Sequence, residues 1–129
     1  MTLDEFLAQK QVRNAHVEHP DFTSFYVRNG SIVLFEDDAM WRCTKLLQIG
    51  AIEAAQPGTG AFRRLVDDLV ARGLAIFVEN VHNPLFRDKL VHMGFVSINP
   101  MTGSHYLFNH EGHLEPVEGF NQKVCTDKV

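Results

Sequence analysis

The residues Glu53-Ala54-Ala55-Gln56-Pro57-Gly58-Thr59-Gly60-Ala61 decide how the rest of the chain is read. They form the end of an apolar strand, a glycine-rich turn and the start of an amphipathic helix. A helix that opens behind small residues presents unpaired backbone N–H groups and the positive end of its dipole. Such a start is a ready site for a phosphate or pyrophosphate.

Downstream, Phe62, Leu65, Val66, Leu69 and Val70 recur at helical spacing, with Arg63, Arg64, Asp67 and Asp68 on the other side. The spacing predicts a helix over Ala61 to Arg72, closed by Gly73. Leu74 to Val78 is apolar throughout, as in a strand covered on both faces. Strand, helix and strand in so short a span make a right-handed βαβ unit with a parallel pair. Asn83-Pro84 reads as a cap followed by proline at the first helical position. Phe86, Leu90 and Met93 are its buried stripe, and Gly94 is its end. Phe95 to Ile98 and His105 to Phe108 read as strands on either side of a turn at Pro100 to Gly103.

Upstream, Thr2-Leu3-Asp4-Glu5 is a capping-box pattern, and a helix is expected from Leu3 to Val12. Phe22 to Arg28 is a strand, Asn29-Gly30 a hairpin turn, and Ser31 to Phe35 the returning strand. Glu36-Asp37-Asp38 reads as a solvated loop. Met40 to Glu53 is then one long apolar strand, in which Gly50 marks a bulge or a close backbone approach. Residues 1–110 are read as a single domain and 111–129 as a tail with one short strand near Val117. The expected fold is α/β (α+β): a mixed, mostly antiparallel twisted sheet with a central parallel pair and helices on both faces.

Composition sets the bounds. The chain has 129 residues, 45% apolar and 22% charged, which suits one globular domain. Its net charge of -4 argues against nucleic-acid binding, which relies on a basic footprint. No run reaches the ~18 apolar residues of a membrane span, and Asp4 and Glu5 stand where a signal peptide needs positive charge. Cys43 and Cys125 lack metal spacing, which fits a reducing cytoplasm. His16 with His19, and His110 with His113, have chelating spacing but complete no ligand set, so no metal is expected. Cys43 reads as a buried structural thiol.

The order of elements from about Lys45 to Phe108 resembles the GNAT superfamily of N-acetyltransferases. The resemblance rests on the long strand, on Gly58-Thr59-Gly60 opening a helix, on the strand ending in Val78-Glu79, and on Asn83 twelve residues before Phe95. The wording Pro57-Gly58-Thr59-Gly60-Ala61-Phe62, with Val78-Glu79-Asn80-Val81-His82-Asn83, is also similar to short GNAT-like proteins of tailed bacteriophages. The resemblance implies acetyl-CoA as co-substrate, its pyrophosphate on Gly58, Thr59, Gly60, Ala61 and Phe62. It implies a thioester along Ala51, Ile52 and Glu53, and a pantetheine arm at Asn83. An amine would be acylated, on a small molecule or a protein. The family's tyrosine seven residues after the asparagine is here Leu90, and the first loop position is Ala55. Tyr106 or His105 can stand in for that tyrosine as the acid.

Each of these residues also has a plainer reading. Gly58 and Gly60 can make a tight turn and nothing more; Asn83 can be an N-cap. Glu53 is the candidate general base or else a solvated strand-end carboxylate, with Glu79 as second choice. Arg63 and Arg64 can neutralise phosphate or simply face solvent. The alternative function is a GNAT-fold protein of weak or no activity that binds CoA or a host partner protein. A homodimer and a location in the cytoplasm, that of a bacterial host if phage-encoded, complete the expectations.

Overall fold

A computed structural model describes residues 1–9, 13–36, 39–97, 106–108 and 114–117. The long apolar run after Asp38 does not form one strand. It divides at Thr44-Lys45 into β4 (Ala39–Cys43) and β5 (Leu46–Ala54), and these belong to different sheets. The first sheet also holds β1 (Asn14–His16), β2 (Phe22–Asn29), β6 (Ala75–Val78), β7 (Val96–Ser97) and β8 (Tyr106–Phe108). Its order is β1-β2-β5-β6-β8-β7. The second sheet is β3 (Ile32–Glu36), β4 and β9 (Leu114–Pro116), in that order. Hydropathy hides the division, because Cys43 and Leu46 on either side of it are buried in the same small core.

The Asn29-Gly30 turn does not make the expected hairpin. Both edges of β2 are taken, one by β1 and one by β5. Asn29 closes the β1–β2 pair instead. Its N–H donates to the Arg13 carbonyl at 3.1 Å, and its Oδ1 accepts from the Arg13 N–H at 2.7 Å. Gly30, at φ 134°, then turns the chain away toward the second sheet. There β3 pairs with β4, from Ile32 opposite Cys43 to Glu36 opposite Ala39. Glu36 is thus the end of a strand, while Asp37-Asp38 lies outside the described residues. The short strand expected near Val117 is β9, antiparallel to β4.

Three helices complete the described structure. Helix α1 (Leu3–Leu7) starts at the capping box, with Glu5 N–H on Thr2 Oγ1 and Thr2 N–H on Glu5 Oε1. It is shorter than the expected span to Val12. Leu3 and Phe6 are its buried residues and Ala8 its C-cap, while residues 10–12 of the expected span lie outside the described residues. Helix α2 (Ala61–Ala71) buries Ala61, Phe62, Leu65, Val66 and Leu69. Each of the larger side chains contributes about 1.5–3 kcal/mol by leaving water. Gly73 follows at φ 79°, as a helix end requires. Helix α3 (Pro84–His92) buries Leu90 and ends before Gly94 at φ 97°.

The parallel pair is β5 with β6, from Leu46 opposite Ala75 to Ile49 opposite Val78. The other named strand pairs are antiparallel. Alternation separates two cores. Leu47, Ile49, Ile76 and Val78 join the buried side chains of all three helices. Leu46, Ala75 and Phe77 meet Cys43 and Ile32 of the second sheet. The expected helices on both faces therefore give way, among the described residues, to helices on one and a small sheet on the other. No helix among the described residues is long and apolar enough to cross a membrane.

Gly50 is where the sheet changes. Tyr26 stands opposite Ala51 and Val27 opposite Ile49, leaving Gly50 as an extra residue on β5. A bulge shifts the alternation by one. Before it, Leu47 and Ile49 face the helix side; after it, Ile52 and Ala54 pack there, and Ala51 and Glu53 are exposed. Gly50 also takes the ring of Tyr26, whose Cδ1 is 3.1 Å from where a β-carbon would stand. The two readings of this glycine, bulge and close approach, both hold.

Candidate functional site

The strands of the parallel pair separate just past the bulge. The last register pair is Ile49 with Val78, and one more bond follows, Glu79 N–H to the Ile49 carbonyl at 3.0 Å. Beyond it β5 runs on to Ala54, while the other chain turns away through Asn80, at φ 53°, to the buried Val81. The gap holds a cleft of about 230 Å³ lined by Ile49 to Ile52, Val78 to Val81 and Phe86. A second cleft, of about 510 Å³, runs along the strand end and the glycine turn to the start of α3. Ile52 and Phe86 line both. The two clefts thus adjoin along one path from strand gap to helix start.

The glycine turn is held by its own chain. Thr59 Oγ1 donates to the Gln56 carbonyl at 2.8 Å. Arg64 reaches back to the Thr59 carbonyl at 2.6 Å and to Asp21 at 3.6 Å. Ala55 N–H donates to the Asp21 carbonyl at 2.9 Å. Gly58 and Gly60 have φ of 83° and 79°, which L side chains rarely adopt. Gly60 is the N-cap of α2, and no side chain caps that helix. The first-turn N–H groups therefore lack the partner that a Ser, Thr or Asp cap supplies.

Most of the expected site residues come together here. Ile52, Glu53, Gly58, Gly60, Ala61, Phe62 and Asn83 line the larger cleft, and Ala51 lines the smaller. Thr59 lines neither, because its hydroxyl is turned onto Gln56. Phe62 is buried, its ring edge-on to Phe86 at 5.1 Å. Glu53 is exposed at the strand end, opposite Ser24. Asn83 caps α3: its Oδ1 accepts from Leu85 N–H at 2.9 Å and Phe86 N–H at 3.4 Å. Arg63 is exposed on α2, while Arg64 is engaged in the turn.

Glu79 stands at the gap with its side chain 19% exposed, 3.8 Å from Arg28. The backbone of Tyr106 pairs with Val78 on one side and Ser97 on the other; the acid role considered for its side chain lies outside the described residues, as do His105, His110, His113 and Cys125. Leu90 is fully buried in the helix-side core. Burial pushes the Cys43 thiol up to about 11, which makes it inert, as a structural thiol is. No group of three or more His, Cys, Asp or Glu among the described residues is placed to hold a metal.

Among the cleft residues whose place in the site escapes sequence reasoning are Leu85, Phe86 and Lys89 of α3. A signal for them exists. Leu85 and Lys89 are one turn apart on the helix that Asn83 caps, so they share the face beside the cap. Tyr26 also escapes, because only the register of β2 on β5 brings it to Gly50. No protein-family model, curated protein or solved structure matches the chain.

Proposed function

We propose that the chain is a GNAT-type N-acetyltransferase that binds acetyl-CoA in the adjoining clefts and transfers the acetyl group to an amine. One observation carries the reading: a parallel strand pair parts at a bulge, and a cleft runs from that point to an uncapped helix start. The pyrophosphate would lie on the first-turn N–H groups of α2, with Lys89 beside it. The pantetheine arm would follow Ile52 and Phe86 past the Asn83 amide. The thioester would end in the strand gap. There, N–H groups of the Gly50 to Ile52 segment, released from β6, would stabilise the oxyanion.

The reaction then needs a neutral amine. Glu53 takes a proton from the ammonium, directly or through water. The nitrogen attacks the carbonyl carbon, the C–S bond breaks, and the departing thiolate takes up the proton that the acylated nitrogen loses. A thiol has a pKa of about 8.5, so this leaving group tolerates the absence of a dedicated acid.

A second reading is favoured by Leu90. The position that matches the family's tyrosine holds a fully buried leucine, so no phenol there can protonate the thiolate. Under that reading the chain binds CoA without turnover. Calorimetric titration with acetyl-CoA tests the first step of both, and absence of binding at millimolar ligand overturns both. Thiol release with a panel of amines then separates enzyme from binder.

A further inference from the structure

A row of side chains lies on the sheet face away from the helices. His16 pairs in register with Tyr26, and Tyr26 with Ala51; Glu79 stands across the gap. Their strand neighbours Ala15, Val27 and Val78 pack into the helix-side core, so this row faces the other way. The His16 and Tyr26 rings meet edge-on at 4.9 Å. The bulge turns Glu53 onto the same face, beside Ala51. Glu79 has Arg28 at 3.8 Å, and Arg28 Nε donates to Asn14 Oδ1 at 2.7 Å. Glu53 has no ion-pair partner among the described residues.

We propose that this row is the acceptor site and that it takes an unbranched alkyl amine carrying a second positive charge, a diamine or polyamine. The inference rests on the acyl-transfer reading above. One ammonium sits at Glu53 beside the thioester. The second sits at Glu79, where it competes with the Arg28 ion pair, which is long at 3.8 Å and whose Arg28 side chain is exposed. The alkyl stem between them crosses the Tyr26 ring, which lies against Gly50 of β5 with His16 edge-on behind it. In the transfer, one proton passes from the first ammonium to Glu53. The freed lone pair forms the C–N bond. As the tetrahedral intermediate collapses, the C–S bond breaks, and the second proton leaves nitrogen and ends on the thiolate. The far ammonium stays charged throughout.

Diaminobutane and butylamine share a stem and differ in that second charge. Thiol release is measured with each, beside calorimetry with acetyl-CoA. The expected result is a KM lower by roughly two- to fivefold for the diamine, the size of one partly exposed ion pair. That advantage should shrink at high salt and vanish in Glu79→Gln. Equal KM values for the two amines in the wild-type protein would overturn the proposal without any variant having to fold. So would cofactor binding with turnover of neither amine. If acetyl-CoA itself does not bind, the acyl-transfer reading falls and takes this site with it.

Discussion

The ring of Tyr26 lies against Gly50, with Cδ1 3.1 Å from the place a β-carbon would occupy. The contact joins the bulge of β5 to the neighbouring strand at the point where β5 and β6 part. Gly50→Ala should push the ring by a few tenths of an ångström. Overpacking of this kind costs about 1–3 kcal/mol. The cost should largely disappear in a Tyr26→Ala background, because the atom in the way is then gone. Urea unfolding of the two single variants and the double variant measures this coupling. Additive effects would show that Gly50 is needed for the bulge backbone alone.

Cys43 is fully buried between the two sheets, and desolvation raises its pKa to about 11. The unfolded chain loses the same proton near the usual value of about 8.5. Between these values the folded state binds more protons, so stability is complete below the lower and falls as pH rises through the upper. The slope from this one group is about 1.4 kcal/mol lost per pH unit. Cys43→Ala leaves a cavity and lowers stability overall, but it should flatten the curve over that alkaline window. Chemical unfolding of both proteins across the window supplies the comparison. Parallel curves would mean that the thiol is not desolvated as described.

Local chemistry was the most legible part of this chain. The Thr2–Glu5 box, the Asn83-Pro84 start, and Gly73 and Gly94 at helix ends all lie where their side chains and dihedrals require. The parallel pair was legible because Ala75 to Val78 is buried on both faces. The destinations of strands were not. Asn29-Gly30 signals a reversal but does not say whether the neighbouring edge is free, and here β1 and β5 already occupy both edges of β2. Leu46 continues the apolar pattern of Cys43 although the chain changes sheets between them. The candidate site divides in the same way. Gly58, Gly60 and Asn83 announce themselves through backbone demands, whereas Tyr26 reaches Gly50 only through register.

Gly60 and Gly73 adopt the same left-handed φ of 79° at opposite ends of α2. Alanine at either position takes on strain of roughly 1–3 kcal/mol. Gly73 is open, with nothing within 4 Å of an added β-carbon, whereas at Gly60 the carbon meets Arg64 Nη1 at 3.6 Å. That distance is ordinary van der Waals contact, so the two positions differ in place and not in space: Gly60 opens α2, and Gly60→Ala should weaken acetyl-CoA binding beyond its effect on stability as the backbone relieves its φ and tilts the first-turn N–H groups. Gly73→Ala should lower Tm comparably and leave affinity alone. Calorimetry and thermal melts on the pair decide it. Equal losses of affinity would reduce the glycine turn to a structural role.

Asn83 has two duties that one substitution can separate. Its Oδ1 accepts from Leu85 and Phe86 N–H groups and so caps α3. Its amide N–H₂ lies on the same side chain at the lining of the larger cleft, available to donate to a carbonyl of the pantetheine arm. Asn83→Asp keeps an acceptor for the cap and removes the donor. It also brings a negative charge near the helix start, where the dipole welcomes it. Stability should hold or rise slightly, while acetyl-CoA affinity falls. Asn83→Ala removes both functions, costing about 1 kcal/mol of stability as well as affinity. If Asn83→Asp binds acetyl-CoA as tightly as the wild type, the residue is a cap only, and the pantetheine path past α3 must be abandoned.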